Sequence, residues 1–146
     1  MRKNIINTGV VLLALAVGAA ATSCSSNSNT SYKDGTYSGR SSDFEEDESG
    51  NGSGYGEVEI EIKDNKITAC TFKMYELDGT LKDDQYGADL SKENRLKAQK
   101  AVQSAQRYAD LLVKSGSVDD IDAISGATIS YNEFKEAVKD ALSKAS

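Results

Sequence analysis

Histidine is missing from all 146 residues. Its absence removes the usual general base near neutral pH, the usual zinc ligand and any Ser-His-Asp arrangement, so hydrolytic and metal-centred chemistry lose most of their support. Cysteine is almost as scarce, with only Cys24 and Cys70. If Cys24 is consumed by modification, no internal disulfide is possible, and Cys70, in a strand-like run beside Phe72, reads as a buried structural thiol. Basic residues are in the minority, 17 against 23 acids for a net charge of −6, so nucleic acid is not an expected partner. The chain also lacks a long apolar run: Gly9 to Ala21 is uninterrupted but too short for a comfortable membrane span.

That short run has the surroundings of an export signal. Arg2 and Lys3 form a basic start, and Thr22-Ser23-Cys24 follows, placing a cysteine where a bacterial lipoprotein signal would end. Residues 1–23 are therefore expected to be a signal peptide, with Cys24 as the lipid attachment point. Ala21 stands where such signals usually carry leucine, and cleavage after Ala19-Ala20-Ala21 would give plain secretion instead. Both readings export the protein. Loss of Arg2 and Lys3 takes the basic count from 17 to 15 against 23 acids, so the net charge moves from −6 to −8, a balance that suits solubility.

Residues 24–31 are small and polar and cannot bury enough surface to fold, so they read as a flexible tether. Residues 32–146 are long enough for one small domain. Asp34-Gly35 marks a turn, Thr36 to Arg40 a short strand, and the acidic, glycine-bearing stretch from Ser41 to Gly54 a loop. From Tyr55 the pattern has period two, with Val58, Ile60 and Ile62 alternating with Glu57, Glu59 and Glu61. Asp64-Asn65 is the connection of a tight hairpin, and Ile67 to Tyr75 returns with Cys70, Phe72 and Met74 on one face.

Leu81 to Asp89 shows no clear period. A long helix is predicted from about Lys92 to Lys114, capped by Ser91 and stopped at Ser115-Gly116. A final amphipathic helix is predicted from about Tyr131 to Leu142, with Phe134, Ala137, Val138, Ala141 and Leu142 on its apolar face. Strands early and helices late define an α+β domain: a small antiparallel sheet with a β-hairpin, packed against the long helix and the C-terminal one.

The chemistry-bearing stretch is Asp122-Ala123-Ile124-Ser125-Gly126-Ala127-Thr128. Ser130-Tyr131-Asn132-Glu133 reads as a capping box, which would put Thr128 immediately before a helix N-terminus, where free N–H groups and the helix dipole suit a phosphate. Gly126 permits a sharp turn or close approach, Ala127 adds little bulk, and Thr128 offers a hydroxyl. The same residues would also serve as a plain turn before a capped helix.

This stretch resembles the D-x-x-S/T-G-A-T acceptor motif of the FMN-binding domain family. Asp34-Gly35-Thr36-Tyr37-Ser38-Gly39 is similar to that family's opening segment, Gly54-Tyr55-Gly56 with the strand after it to its second, and Lys63 to Ile67 to its hairpin. The resemblance implies covalent FMN, joined through its phosphate to Thr128 by a flavin transferase, with Asp122 in the signal that the transferase reads and Ser125, Gly126 and Ala127 completing the acceptor. Tyr37, Tyr55 and Tyr131 fall in family-like segments and are candidates to stack on the flavin ring. With the export features, the chain looks most like the flavin lipoproteins of extracellular electron transfer and is also similar to the flavin-bearing subunits of sodium-pumping NADH:quinone oxidoreductase. That implies an electron carrier anchored by lipid on the extracytoplasmic face of the cell membrane, taking electrons from a quinol-linked or NADH-linked donor. A non-redox surface lipoprotein, acting as a binding or interaction module, is the alternative.

Overall fold

The computed structural model describes residues 30–45 and 52–146. The expected signal peptide, Cys24 and all of the tether but Thr30 and Ser31 lie outside the described residues.

Three strands form one antiparallel sheet in the order β1 (Gly35–Arg40), β2 (Tyr55–Lys63) and β3 (Lys66–Tyr75). Asp64 and Asn65 both adopt positive φ, 51° and 60°, as a two-residue hairpin between right-twisted strands requires. The alternation in β2 works as the sequence predicts: Val58, Ile60 and Ile62 are buried, and the glutamates between them are exposed. In β3 the parity changes. Ile67 pairs with Ile62 while Ala69 pairs with Glu61, so a bulge lets the odd-numbered Ile67 face the core alongside Phe72 and Met74.

Both helices cover the apolar face of the sheet, α1 (Lys92–Ser115) against β3 and α2 (Thr128–Ser143) against β1 and β2. In α1 the Ser91 side chain accepts from the Asn94 N–H, and Gly116 closes the helix at φ 76°. The core runs from Ile60, Ile62 and Phe72 through Tyr108 and Leu112 to Phe134, Ala137 and Val138. Phe134 lies edge-on to Phe72 at 5.0 Å and stacks on Tyr108 at 5.5 Å, so one ring ties both helices to the sheet. Gly39 sets how closely α2 approaches: a Cβ there would stand 2.0 Å from the Ala137 carbonyl oxygen. Cys70 is half-buried, and burial pushes its thiol up to about 12, in keeping with an unreactive structural group.

The helix α2 begins three residues earlier than the sequence predicts. Ala127 occupies the N-cap position with no side-chain hydrogen bond, Thr128 is the first helical residue, and Ser130 is buried within the first turn. The predicted Ser130–Glu133 capping box therefore does not form. Tertiary contacts fix the start of the helix in its place.

Candidate functional site

The loop before α2 is held by a single side chain from α1. Tyr108, fully buried, accepts the Ile124 N–H at 2.8 Å and donates to the Ala127 carbonyl at 3.1 Å. Between those two points Ile124 to Ala127 makes a turn closed by the Ala127 N–H to the Ile124 carbonyl at 2.9 Å. Gly126 takes the third position of that turn at φ 77°, a conformation that costs glycine little and other residues more. The Ala127 carbonyl also accepts the first helical hydrogen bond, from Tyr131 N–H at 3.0 Å. Loop and helix are thus locked together through one carbonyl.

This arrangement leaves the N–H groups of Thr128, Ile129 and Ser130 without acceptors among the described residues. Three open donors at the positive end of a 16-residue helix form an anion seat. Thr128 is exposed beside them. Lysines from α1 add charge: Lys97 lines the adjoining cavity, and a Cβ on Gly126 would stand 2.9 Å from Lys100 Nζ. Lys97 also pairs with Glu93 at 3.3 Å, but both are exposed and the pair is loose.

Next to Thr128 opens a cavity of about 350 Å³, lined by Met74, Lys82, Tyr86, Ala101, Ser130 and Glu133 among others. Two of its walls carry buried charge. Lys82 is 8% exposed, held in place because its N–H donates to the Met74 carbonyl at 2.9 Å, and its ammonium lies 5.2 Å from the centre of the Tyr86 ring. Burial lowers its pKa from the ordinary lysine value, while the charges of Glu133 and Glu76 oppose that shift. Glu133 is 1% exposed, and its Oε1 has no hydrogen-bond partner among the described residues. Burial pushes its carboxyl up to about 7, the Lys82 charge restraining the rise. The carboxyl that sequence reasoning assigned to a helix cap faces this cavity instead.

Of the sequence-predicted acceptor residues, Gly126, Ala127 and Thr128 line the cavity, and Ser125 is exposed in the turn beside them. Asp122 is exposed and makes no hydrogen bond or ion pair to the described residues, which leaves it open to a partner. The three candidate stacking tyrosines are not brought together. Tyr55 stacks on Tyr75 at 5.3 Å, under the Arg40 guanidinium, on the sheet face away from the helices. Tyr37 donates to the Lys33 carbonyl at 3.0 Å, and Tyr131 leans on Tyr108 at 5.7 Å. The aromatic ring in the cavity wall is Tyr86, from the stretch without a period, where the sequence carries no signal beyond its being aromatic.

An open anion seat, a neighbouring hydroxyl and a cavity with polar and apolar walls define a domain fitted to a phosphorylated ring compound. The comparisons agree. The family model described as the FMN-binding domain matches residues 51–143, and the chain belongs to that family. The match begins after β1, which pairs with β2 along its whole length and so completes the matched sheet. No curated protein matches the chain. Among solved structures, the CPE2226 protein from Clostridium perfringens is similar in fold, with a TM-score of 0.57 and 24% identity, over 78% of this chain and 88% of that one.

Proposed function

We propose that this FMN-binding domain carries its flavin covalently on Thr128 and works as an exported, lipid-anchored electron carrier rather than a self-contained enzyme. The observation that supports the reading best is the position of Thr128: an exposed hydroxyl at the first residue of α2, beside three open N–H donors and a cavity. The residues present fit the cofactor. The α2 N–H groups, with Lys100 and Lys97 nearby, would hold the phosphate, and the cavity walls would hold the ring. When bound, FMN supplies reversible electron transfer.

The protein's own contribution is attachment and orientation. Tyr108 holds the acceptor turn in one shape, so Thr128 Oγ1 is presented in a fixed direction to the flavin transferase. Exposed Asp122, six residues earlier, offers that enzyme a charge to read. Attachment forms a phosphoester between Thr128 Oγ1 and the FMN phosphorus, the hydroxyl losing its proton and the activated flavin donor losing its leaving group. Outside the cell a covalent flavin is not lost by diffusion, and the carrier would pass electrons from a quinol-linked or NADH-linked donor to an external acceptor.

Coexpression with a flavin transferase and measurement of intact mass tests the proposal. The wild-type chain should gain one FMN, less water, and Thr128→Ala should gain none. Equal loading of Thr128→Ala, or no loading of wild type, refutes covalent attachment at this residue. Membrane fractionation tests the anchor: Cys24→Ala should appear in the medium, and its retention on the membrane would count against lipid at Cys24.

A further inference from the structure

Lys82 and Glu133 share a cavity but do not close on each other. Their charged atoms lie beyond the 4.0 Å of a contact ion pair, and Glu133 Oε1 has no hydrogen-bond partner among the described residues. Desolvating two opposite charges without bringing them into contact is expensive, because each loses water and gains only a through-space attraction in place of a hydrogen bond. The fold nevertheless fixes both. A Cβ on Gly54 would stand 2.5 Å from Lys82 Nζ, and one on Gly56 would stand 3.0 Å from the Glu133 Cβ, so two glycines of the loop and β2 clear the space these side chains occupy.

A group with acceptor and donor atoms side by side would satisfy both walls at once. The pyrimidine rim of a flavin ring has that character, with carbonyl oxygens and a ring nitrogen as acceptors flanking an N–H. We propose that Lys82 and Glu133 are the residues that recognise this rim, the ammonium donating to its acceptors and the carboxylate accepting its N–H, and that together they tune the reduction potential of the ring.

The proposal rests on the reading of the cavity as the flavin seat. Two-electron reduction with uptake of one proton leaves the ring anionic, so a nearby ammonium favours the reduced form and an ionised carboxylate opposes it. Other charged groups near Glu133 are few. Lys97 faces the cavity from α1, Glu76 acts on Lys82 from the loop, and the sheet presents uncharged Gly56 and Met74.

The test is reductive titration of the FMN-loaded full chain with dithionite against a reference dye, at about pH 5.5 and about pH 8.5, on either side of the Glu133 transition. Lys82→Met should lower the reduced-to-oxidised ratio at fixed potential about tenfold at the higher pH, where the reduced ring is anionic, roughly 30 mV for a two-electron couple, and Lys82→Arg should restore most of it. Glu133→Gln should raise the ratio by a similar factor at the higher pH and leave it near wild type at the lower. Loaded variants that follow wild type at both pH values overturn the proposal, because a purely structural pair would change stability and leave the potential alone. Riboflavin added to the Thr128→Ala chain tests the same seat without the covalent bond. Quenching of its fluorescence should weaken about tenfold on adding Lys82→Met, and quenching indifferent to Lys82 also overturns the proposal. Lys82-dependent quenching in a chain whose wild type gains no FMN would refute covalent attachment alone.

Discussion

Replacing Glu133 by glutamine should abolish a pH dependence of stability that the flavin-free wild type carries between about pH 5 and 8. The carboxyl is an acid whose folded pKa, about 7, lies above its ordinary value of 4.5 because burial disfavours the charged form. Between those values the folded chain holds a proton that the unfolded chain has released, so stability falls as pH rises through the window. The loss is about 2.5 units at about 1.4 kcal/mol each, or about 3 kcal/mol once the group is ionised. Lys82, lowered from 10.5 by burial, opposes this slope from the alkaline side, because the folded chain gives up its proton before the unfolded one does. The remaining carboxyl, tyrosine and thiol shifts act elsewhere. Asp78, Asp119 and Asp140 are lowered below 3.8 by hydrogen bonds and lysine charges, and Tyr75, Tyr108 and Cys70 are raised by burial from values of 9.0 or more. For a domain of this size the wild type should melt roughly 10 to 15 °C lower at about pH 8 than at about pH 5. Glu133→Gln keeps the shape, removes the ionisation and should melt at nearly the same temperature at both. Thermal melts followed by circular dichroism decide the matter: a wild type no less stable at the higher pH, or a glutamine variant that keeps the slope, would refute the argument.

Asp122→Ala should reduce flavin loading while shifting stability by less than about 0.5 kcal/mol, because the side chain is exposed and holds nothing among the described residues; unchanged loading in the intact-mass assay would remove it from the recognition role. Tyr108→Phe deletes both hydrogen bonds of the acceptor turn and strands the Ile124 N–H, so urea unfolding should show a loss of about 1 to 3 kcal/mol, and loading should slow as the turn loosens. Gly39→Ala drives a methyl to 2.0 Å from the Ala137 carbonyl oxygen and 2.5 Å from the Ala141 nitrogen, both backbone atoms of α2. It should cost at least about 3 kcal/mol, and a melt within a few degrees of wild type would mean that α2 slides away more easily than the packing suggests.

What the sequence could reveal was local. The hairpin is legible because Asp64-Asn65 is a dipeptide that tolerates two positive φ values between alternating strands, and α1 because Ser91 and Gly116 supply its own caps. The bulge is visible in hindsight as a change of parity, since Ile67 is odd and Cys70, Phe72 and Met74 are even. The start of α2 was not legible, because a residue distant in sequence decides it: Tyr108 captures the Ala127 carbonyl and the turn behind it, and Ser130 and Glu133 follow into the first helical turn. The turn before α2 could be read from its Ser-Gly-Ala-Thr stretch, but the cavity wall could not. Lys82 and Tyr86 come from a segment with no periodicity, which reaches the site because Lys82 N–H bonds Met74, Leu81 bridges Tyr75 and the Gln99 side chain of α1 donates to the Tyr86 carbonyl at 2.7 Å.

Two local rules are broken at this one place, and each break has a cheaper alternative that the chain does not use. A serine or aspartate at position 127 could cap α2 and add about 1 kcal/mol, yet the position holds alanine and leaves donors open. An apolar residue at position 133, whose Cβ lies beside Gly56, would leave no buried carboxyl to satisfy, yet the position holds one with an oxygen unpartnered among the described residues. Elsewhere the chain follows the rules closely, as the caps of α1 and the alternation of β2 show. Costs scattered over a fold indicate little, but an uncapped helix and an unpaired buried acid meeting in the cavity beside Thr128 indicate a seat whose missing partners arrive with the ligand. On that view the open N–H groups await a phosphate and the separated Lys82 and Glu133 await a ring. A ligand that satisfied all of them should therefore stabilise the domain most above pH 7, where the unoccupied site costs most.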